Sequence, residues 1–152
     1  MSASRVSHLL KSSAASISAI KTGLSLSSGN RSFHTSLPRS VVYPKADVQT
    51  FTKAISAKDR IAVVDFYADW CGPCHQLAPV IENLTNEPRK SGSGLPFDLV
   101  KVDTDSDAGQ ELALKYRVRA MPTVIAFRDG APVEQFVGAL PDSAVKDFLD
   151  RL

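Results

Sequence analysis

Two cysteines separated by two residues carry the strongest chemical signal in this sequence, in the segment Trp70-Cys71-Gly72-Pro73-Cys74. The segment follows an apolar run and opens a helical pattern, so Cys71 is predicted to lie exposed at a helix N-terminus. Free backbone N–H groups and the positive end of the helix dipole stabilise a thiolate there, and a thiolate is the nucleophile in disulfide exchange. Cys74 lies one helical turn further on, within reach of the Cys71 sulfur, and is predicted to resolve a mixed disulfide.

The residues around the two cysteines suit the approach of a polypeptide substrate. Gly72 relieves crowding near the first thiol, and Pro73 fixes the backbone of the turn. Trp70 is a large aromatic side chain that would shield this thiol and supply contact area. Met121-Pro122 precedes a predicted strand, where a cis bond before proline would expose a backbone edge to which an extended substrate can pair.

Asp65 is an acidic residue within the apolar run Ile61–Tyr67. A carboxylate inside a buried strand is costly unless it is paired or neutral. The alternative is that its side chain faces solvent at a strand edge.

Helical and strand patterns alternate along the chain from residue 46 onward. Apolar spacing predicts four helices. The second begins at Pro73, has a kink at Pro79 and ends at the loop Pro88–Pro96. The others lie over 46–57, Ala108–Tyr116 and Val145–Leu152. Four strands and a hairpin turn at Asp129-Gly130 are predicted, the strands being Ile61–Tyr67, Leu99–Val102, Thr123–Phe127 and Val133–Val137. The order α-β-α-β-α-β-β-α implies a mixed central sheet covered by helices on both faces.

The N-terminal part of the chain is basic, since no acidic residue precedes Asp47. Serine is frequent there, and the few large apolar residues fall on one helical arc. These features are typical of an organelle import peptide, whereas two lysines would interrupt the apolar core of a secretory signal. The segment Arg31–Ser36 resembles the two-step cleavage signal of mitochondrial matrix precursors, which places the final cut between Ser40 and Val41.

Removal of residues 1–40 would take away five of the 18 basic residues and none of the 16 acidic ones, leaving a formal charge of −3. We therefore expect a mitochondrial matrix protein with a disordered, cleaved transit peptide over 1–40 and one domain over 41–152. Chloroplast import and a disordered serine-rich tail are the alternatives.

The composition excludes several classes of protein. A net charge of +2 without a run of like charge gives no support to nucleic-acid binding. No stretch of about 18 apolar residues exists to span a membrane. Two cysteines are too few for a multiply bridged scaffold or a four-cysteine zinc site. Once His8 and His34 leave with the leader, only His75 and carboxylates remain as further ligands, so we expect no metal.

The segment Val64–Cys74 resembles the active-site stretch of the thioredoxin family. Residues Tyr116–Thr123 resemble the cis-proline segment of that family, and its third substrate-facing loop is similar to Val137-Gly138-Ala139. The three segments occur in the right order along the domain. The resemblance implies an α/β thioredoxin fold and protein-disulfide reductase activity through a reversible disulfide between the two cysteines.

The resemblance also assigns roles to particular residues. Asp65 is implied to be the buried acid behind Cys74, where burial would raise its pKa until it can accept the Cys74 proton through a water. Lys101 matches the family's lysine near that carboxylate and would moderate the shift. Tyr67 stands where the family often has Trp, and His75 where a basic residue is common. We expect His75 to be a solvent-facing helix residue rather than a catalyst.

The resemblance further implies a monomer that binds no cofactor and receives electrons from NADPH through a thioredoxin reductase. Its clients would be disulfide-containing proteins such as peroxiredoxins. One alternative is an oxidase or isomerase on the same fold, which the Gly-Pro between the cysteines disfavours. Another is a binding subunit that uses the surface around Trp70 and Pro122 without redox turnover. Stretches 91–94 and 103–110, longer than in compact members, leave the choice of client open.

Overall fold

The structure is a computed structural model, and it describes residues 39–86 and 91–152. The predicted transit peptide lies outside the described residues except for its last two, Arg39 and Ser40. The described part contains, in chain order, β1 (Val42–Tyr43), α1 (Val48–Ile55), β2 (Ile61–Tyr67), α2 (Gly72–Asn86), β3 (Phe97–Asp103), α3 (Asp107–Lys115), β4 (Thr123–Arg128), β5 (Ala131–Val137) and α4 (Asp142–Arg151).

The strands form one mixed sheet in the order β1-β3-β2-β4-β5. β1 and β2 run parallel to β3, whereas β4 is antiparallel to both β2 and β5. The predicted hairpin between β4 and β5 is confirmed. Its two turn residues, Asp129 and Gly130, have φ values of 53° and 83°, the positive φ that a two-residue hairpin turn of this type requires.

Side chains of β2 alternate between two apolar cores, one on each face of the sheet. Ile61 and Val63 belong to the core that includes residues of α2 and α4. Ala62 and Val64 belong to the core that includes residues of α1 and α3. The predicted mixed sheet with helices on both faces is therefore confirmed. Because side chains alternate along a strand, Asp65 shares the face of Ile61 and Val63, beneath α2.

The sequence analysis missed β1. This strand has two residues at the edge of the sheet, and Val42 is exposed, so the strand shows no apolar period. Backbone pairing forms it: the Leu99 N–H donates to the Val41 carbonyl oxygen at 2.9 Å. The start of β5 was also predicted too late, because its first residues, Ala131 and Pro132, are exposed and carry no apolar alternation.

The stretch 103–110 is not an extended loop. β3 ends at Asp103, and Ser106 caps α3 by accepting a hydrogen bond from the Gly109 N–H at 3.0 Å. The stretch 91–94 turns against the end of the chain, where the Ser93 N–H donates to the Leu152 carbonyl at 3.0 Å. Within residues 39–86 and 91–152, no helix has the length and apolar character needed to cross a bilayer.

Candidate active site

Cys71 and Cys74 form a disulfide at the start of α2, with their Cα atoms 5.3 Å apart. Cys71 directly precedes Gly72, the first residue of the helix, so its predicted position is confirmed. The backbone N–H of Cys74 donates to the Cys71 sulfur at 3.3 Å. A donor in this position favours negative charge on the Cys71 sulfur over its thiol form.

The prediction that Cys71 is exposed is wrong for the disulfide form. Cys71 is 4% exposed and Cys74 is 3% exposed, so accessibility does not separate the two sulfurs. Packing explains this burial, because the two cysteines and Ala68 form a small apolar cluster against which Tyr67 and Met121 pack. What distinguishes Cys71 is therefore its place at the helix terminus.

The predicted cis-proline segment lies beside the disulfide. Met121 packs against the cluster of the two cysteines, and it precedes Pro122 through a cis peptide bond. The Thr104 hydroxyl lies 2.9 Å from both the Met121 sulfur and the Tyr67 carbonyl oxygen. Thr104 therefore links the end of β2 to the proline segment.

The third predicted loop is joined to the proline segment by the backbone. The Gly138 N–H donates to the Pro122 carbonyl at 2.8 Å, and Gly138 has a φ of 94°, which favours glycine. Val137 and Ala139 on either side are exposed, whereas Pro122 is buried. A substrate at this surface would therefore meet Met121 and Val137 rather than the proline ring.

Trp70 is largely exposed, with 70% of its surface accessible. Its indole N–H donates to Asp105 Oδ1 at 3.3 Å, a partner that sequence analysis did not single out. Gly72 and Pro73 are exposed next to it. A Cβ atom on Gly72 would meet nothing within 4 Å, so the fold itself does not require glycine there.

His75 is exposed on α2, as predicted. Its Nε2 atom lies 2.8 Å from the Asp69 carbonyl oxygen, which ties the helix to the residue before Trp70. Within the described ranges, 39–86 and 91–152, no three His, Cys, Asp or Glu side chains are grouped so as to hold a metal ion.

Asp65 is buried in β2, with only 1% of its surface exposed. Its Oδ1 atom has no hydrogen-bond partner among the described residues. Burial raises the pKa of this carboxyl to about 6, while the charge of Lys101 lowers it and that of Glu82 raises it. The solvent-facing alternative for Asp65 is therefore wrong.

Lys101 lies directly opposite Asp65 in the register of β2 and β3. Its ammonium group, however, donates to Glu82 Oε1 on α2 at 2.7 Å, and it lies 5.3 Å from the centroid of the Tyr67 ring. Lys101 thus moderates the pKa of Asp65, as expected, but is shared with a second carboxylate. Sequence reasoning missed Glu82, because its exposed fraction of 44% resembles that of an ordinary solvated helix residue.

Comparison with known proteins agrees with this geometry. The family model described as Thioredoxin matches residues 42–151. A thioredoxin from Mycolicibacterium smegmatis is 38% identical over 104 residues, covering 68% of this chain and 88% of the relative. A thioredoxin from Bacillus subtilis is 37% identical over 107 residues, covering 70% of this chain and 94% of the relative. A mutant thioredoxin from Halobacterium salinarum superposes with a TM-score of 0.61 at 35% identity, covering 76% of this chain and 93% of that one.

The matched region contains the cysteine pair, the proline segment and the third loop, which the structure brings to one surface. Relatives of this type are thiol-disulfide oxidoreductases with a redox-active dithiol, and they work with a thioredoxin reductase and disulfide-containing clients. The chain belongs to the thioredoxin family and is a protein-disulfide reductase whose redox-active pair is Cys71 and Cys74.

Proposed function

We propose that this protein reduces client disulfides in the mitochondrial matrix, with electrons that pass from NADPH through a thioredoxin reductase. Peroxiredoxins are among the clients we expect. The observation that carries the proposal is the position of the Cys71 sulfur, which lies at the start of α2 and accepts a backbone N–H at 3.3 Å.

In the first step, the Cys71 thiolate attacks one sulfur of the client disulfide. A bond forms between Cys71 and that sulfur, and the client's own disulfide bond breaks. The second client sulfur leaves as a thiolate and takes a proton from solvent. The helix terminus lowers the cost of the attacking thiolate.

In the second step, Cys74 resolves the mixed disulfide. Asp65 accepts the Cys74 proton through a water, and the Cys74 thiolate then attacks the Cys71 sulfur. The bond between Cys71 and the client breaks, and the client leaves as a dithiol after protonation. The pKa of Asp65, about 6, supports this role, because an acceptor with a pKa just below the working pH is mostly ionised and still basic.

Client proteins are held by the surface around the cysteines. Trp70 and Val137 supply exposed apolar area, and Met121 packs against the cluster that contains the disulfide. The open space above Gly72 leaves room for the client backbone beside the reacting sulfur. Pro73, Gly138 and Ala139 complete the proposed substrate surface.

Reduction of insulin by residues 41–152, with NADPH and a thioredoxin reductase, tests the reductase and its electron source. We expect NADPH to be consumed in proportion to the insulin disulfides broken, and Cys71→Ser to reduce this rate to the background. If the protein oxidises dithiol substrates faster than it reduces insulin, the oxidase alternative is favoured. If the protein reduces insulin with dithiothreitol as the electron donor but consumes no NADPH in the presence of the reductase, the proposed electron source is contradicted.

The proposed location predicts a specific N-terminus. Because Arg31–Ser36 places the final cut after Ser40, protein recovered from mitochondria should begin at or near Val41. Mass spectrometry of the purified native protein measures this directly. A functional protein that begins at Met1, or a secreted form, would contradict the import proposal.

A further inference from the structure

A buried carboxylate lies at the end of the sheet remote from the cysteines. Asp98 is 2% exposed, near the start of β3, where it pairs in register with Ala62 of β2. The cysteines follow the opposite end of β2. Asp98 therefore takes no part in the redox site, and its burial needs another explanation.

Asp98 Oδ1 accepts two hydrogen bonds, from Arg60 Nη1 at 2.6 Å and from the Val41 backbone N–H at 2.9 Å. Arg60 is shared with another carboxylate, since its Nε lies 3.4 Å from Asp59 Oδ1. These ion pairs contain two negatively charged carboxylates and one positively charged guanidinium. The cluster of Asp59, Arg60 and Asp98 therefore carries one negative charge in excess.

Val41 is the residue that the proposed cleavage would make the first of the mature protein. In the uncut chain its nitrogen is a neutral amide with one N–H donor. After the cut it would be an ammonium group with three donors and a positive charge. That charge would equal the excess negative charge of the cluster.

The backbone around Val41 is held in place independently of the residues before it. Its carbonyl oxygen accepts the Leu99 N–H at 2.9 Å, and Val42 and Tyr43 pair with β3. The cut therefore leaves the nitrogen beside Asp98. Because Val41 is 40% exposed, the ammonium group keeps part of its hydration, which limits the desolvation cost.

We infer that the cluster of Asp59, Arg60 and Asp98 is a binding site for the α-ammonium group that processing creates at Val41. The inference rests on the proposed processing. Its consequence is that maturation stabilises the domain, so that the imported precursor contains a less stable form of the same fold. The precursor domain would unfold more readily than the mature one.

The stabilisation has a defined pH dependence. An unfolded α-amino group has a pKa near 8, and the carboxylates raise its pKa in the folded protein. The stabilisation is then complete below about pH 7 and is lost as the pH rises through the folded pKa. The charged group in contact with the Val41 nitrogen is Asp98 from β3. Arg60 and Asp59, from the turn before β2, are linked to Asp98 through their ion pairs. Asn86 at the end of α2 contacts Ser40 and is neutral.

Three forms of the protein test the site: one beginning at Val41 with a free amine, the same form acetylated at Val41, and one beginning at Arg39. These forms contain the region that matches 94% of the length of the Bacillus protein, so they correspond in extent to a whole thioredoxin. We expect the folding equilibrium constant of the free-amine form at pH 7 to exceed those of the other two by about fivefold. The difference should vanish above about pH 10.

Insulin reduction should be equal in all three forms, because the cluster lies away from the cysteines. Asp59→Asn, an exposed change, should shrink the stability difference by removing the excess negative charge. Nuclear magnetic resonance of 15N-labelled Val41 should give an amine pKa above 8. Equal stability of the three forms together with an unshifted amine would overturn the inference. A native N-terminus elsewhere would overturn the processing proposal instead, while the stability comparison still decides the site.

Discussion

Replacement of Cys74 with serine is expected to convert this protein into a trap for its clients. Cys71 would still attack a client disulfide, since the N–H donor and helix terminus that favour its thiolate belong to the backbone. The serine hydroxyl cannot displace the client, so the mixed disulfide would persist. Non-reducing electrophoresis of variant protein incubated with a disulfide-containing client should show a stable adduct, and turnover of insulin should fall to the uncatalysed background.

Cys71→Ser is the matched control for this trap. In the disulfide form the two cysteines are buried to a similar extent, 4% and 3% exposed, and the two variants compare the two positions of the remaining thiol. Cys74 alone lies within the first turn of α2 and should form no adduct. Adducts through Cys74, or equal adducts in both variants, would show that the attacking and resolving roles are wrongly assigned.

The parts of the fold that local chemistry determines could be predicted from the sequence. Asp129-Gly130 between two apolar runs specifies a hairpin, because few other residues tolerate positive φ at both turn positions. The run Ile61–Tyr67 specifies a buried strand, and its length and β-branched residues distinguish it from a helix. The strand pattern alone left a solvent-facing position open for Asp65, and it was the family resemblance that implied its burial.

The parts that depend on contacts distant in sequence could not be predicted. β1 exists only because its backbone pairs with β3, and two exposed residues carry no periodic signal. The burial of Cys71 involves packing by Met121, which lies fifty positions away in the chain. The pairing of Lys101 with Glu82 joins a strand to a helix, and no local pattern distinguishes this glutamate from a solvated one.

Asp65→Asn is expected to stabilise the folded protein at neutral pH. Burial raises the pKa of Asp65 from 3.8 to about 6, so ionisation of this carboxyl opposes folding above that range. A shift of this size corresponds to an upper limit of about 3 kcal/mol, and a gain approaching it would raise the melting temperature by roughly 10 °C. Thermal unfolding at pH 7 of the variant and of wild type measures the difference.

The stabilisation should depend on pH in a way that identifies its cause. Below about pH 4 the carboxyl is protonated in both the folded and the unfolded protein, so the variant should gain nothing. The gain should grow between about pH 4 and pH 6 and stay constant above. A gain that is independent of pH would indicate better packing of the amide instead of a removed charge.

The same substitution should slow the reaction at one step. Attack by Cys71 does not use Asp65, whereas resolution by Cys74 loses its proton acceptor, so we expect resolution to slow by about a hundredfold. Stopped-flow measurement of mixed-disulfide formation and of client release separates the two steps. The wild-type rate of release should fall below about pH 6, where Asp65 becomes protonated, and this acid limb should be absent in the variant.

Glu82→Gln distinguishes a catalytic carboxylate from one that only affects folding. It keeps Asp65 but removes a negative charge that raises the pKa of Asp65, and it releases Lys101 from its ion pair. The acid limb of client release should therefore move to lower pH, while release at pH 7 stays close to wild type. Two results would show that Asp65 accepts no proton from Cys74. One is that Asp65→Asn becomes more stable but releases the client at the wild-type rate. The other is that Glu82→Gln leaves the acid limb of client release at its wild-type pH. Slower release together with higher stability would mean that the protein retains a destabilising buried charge because the resolving step uses it.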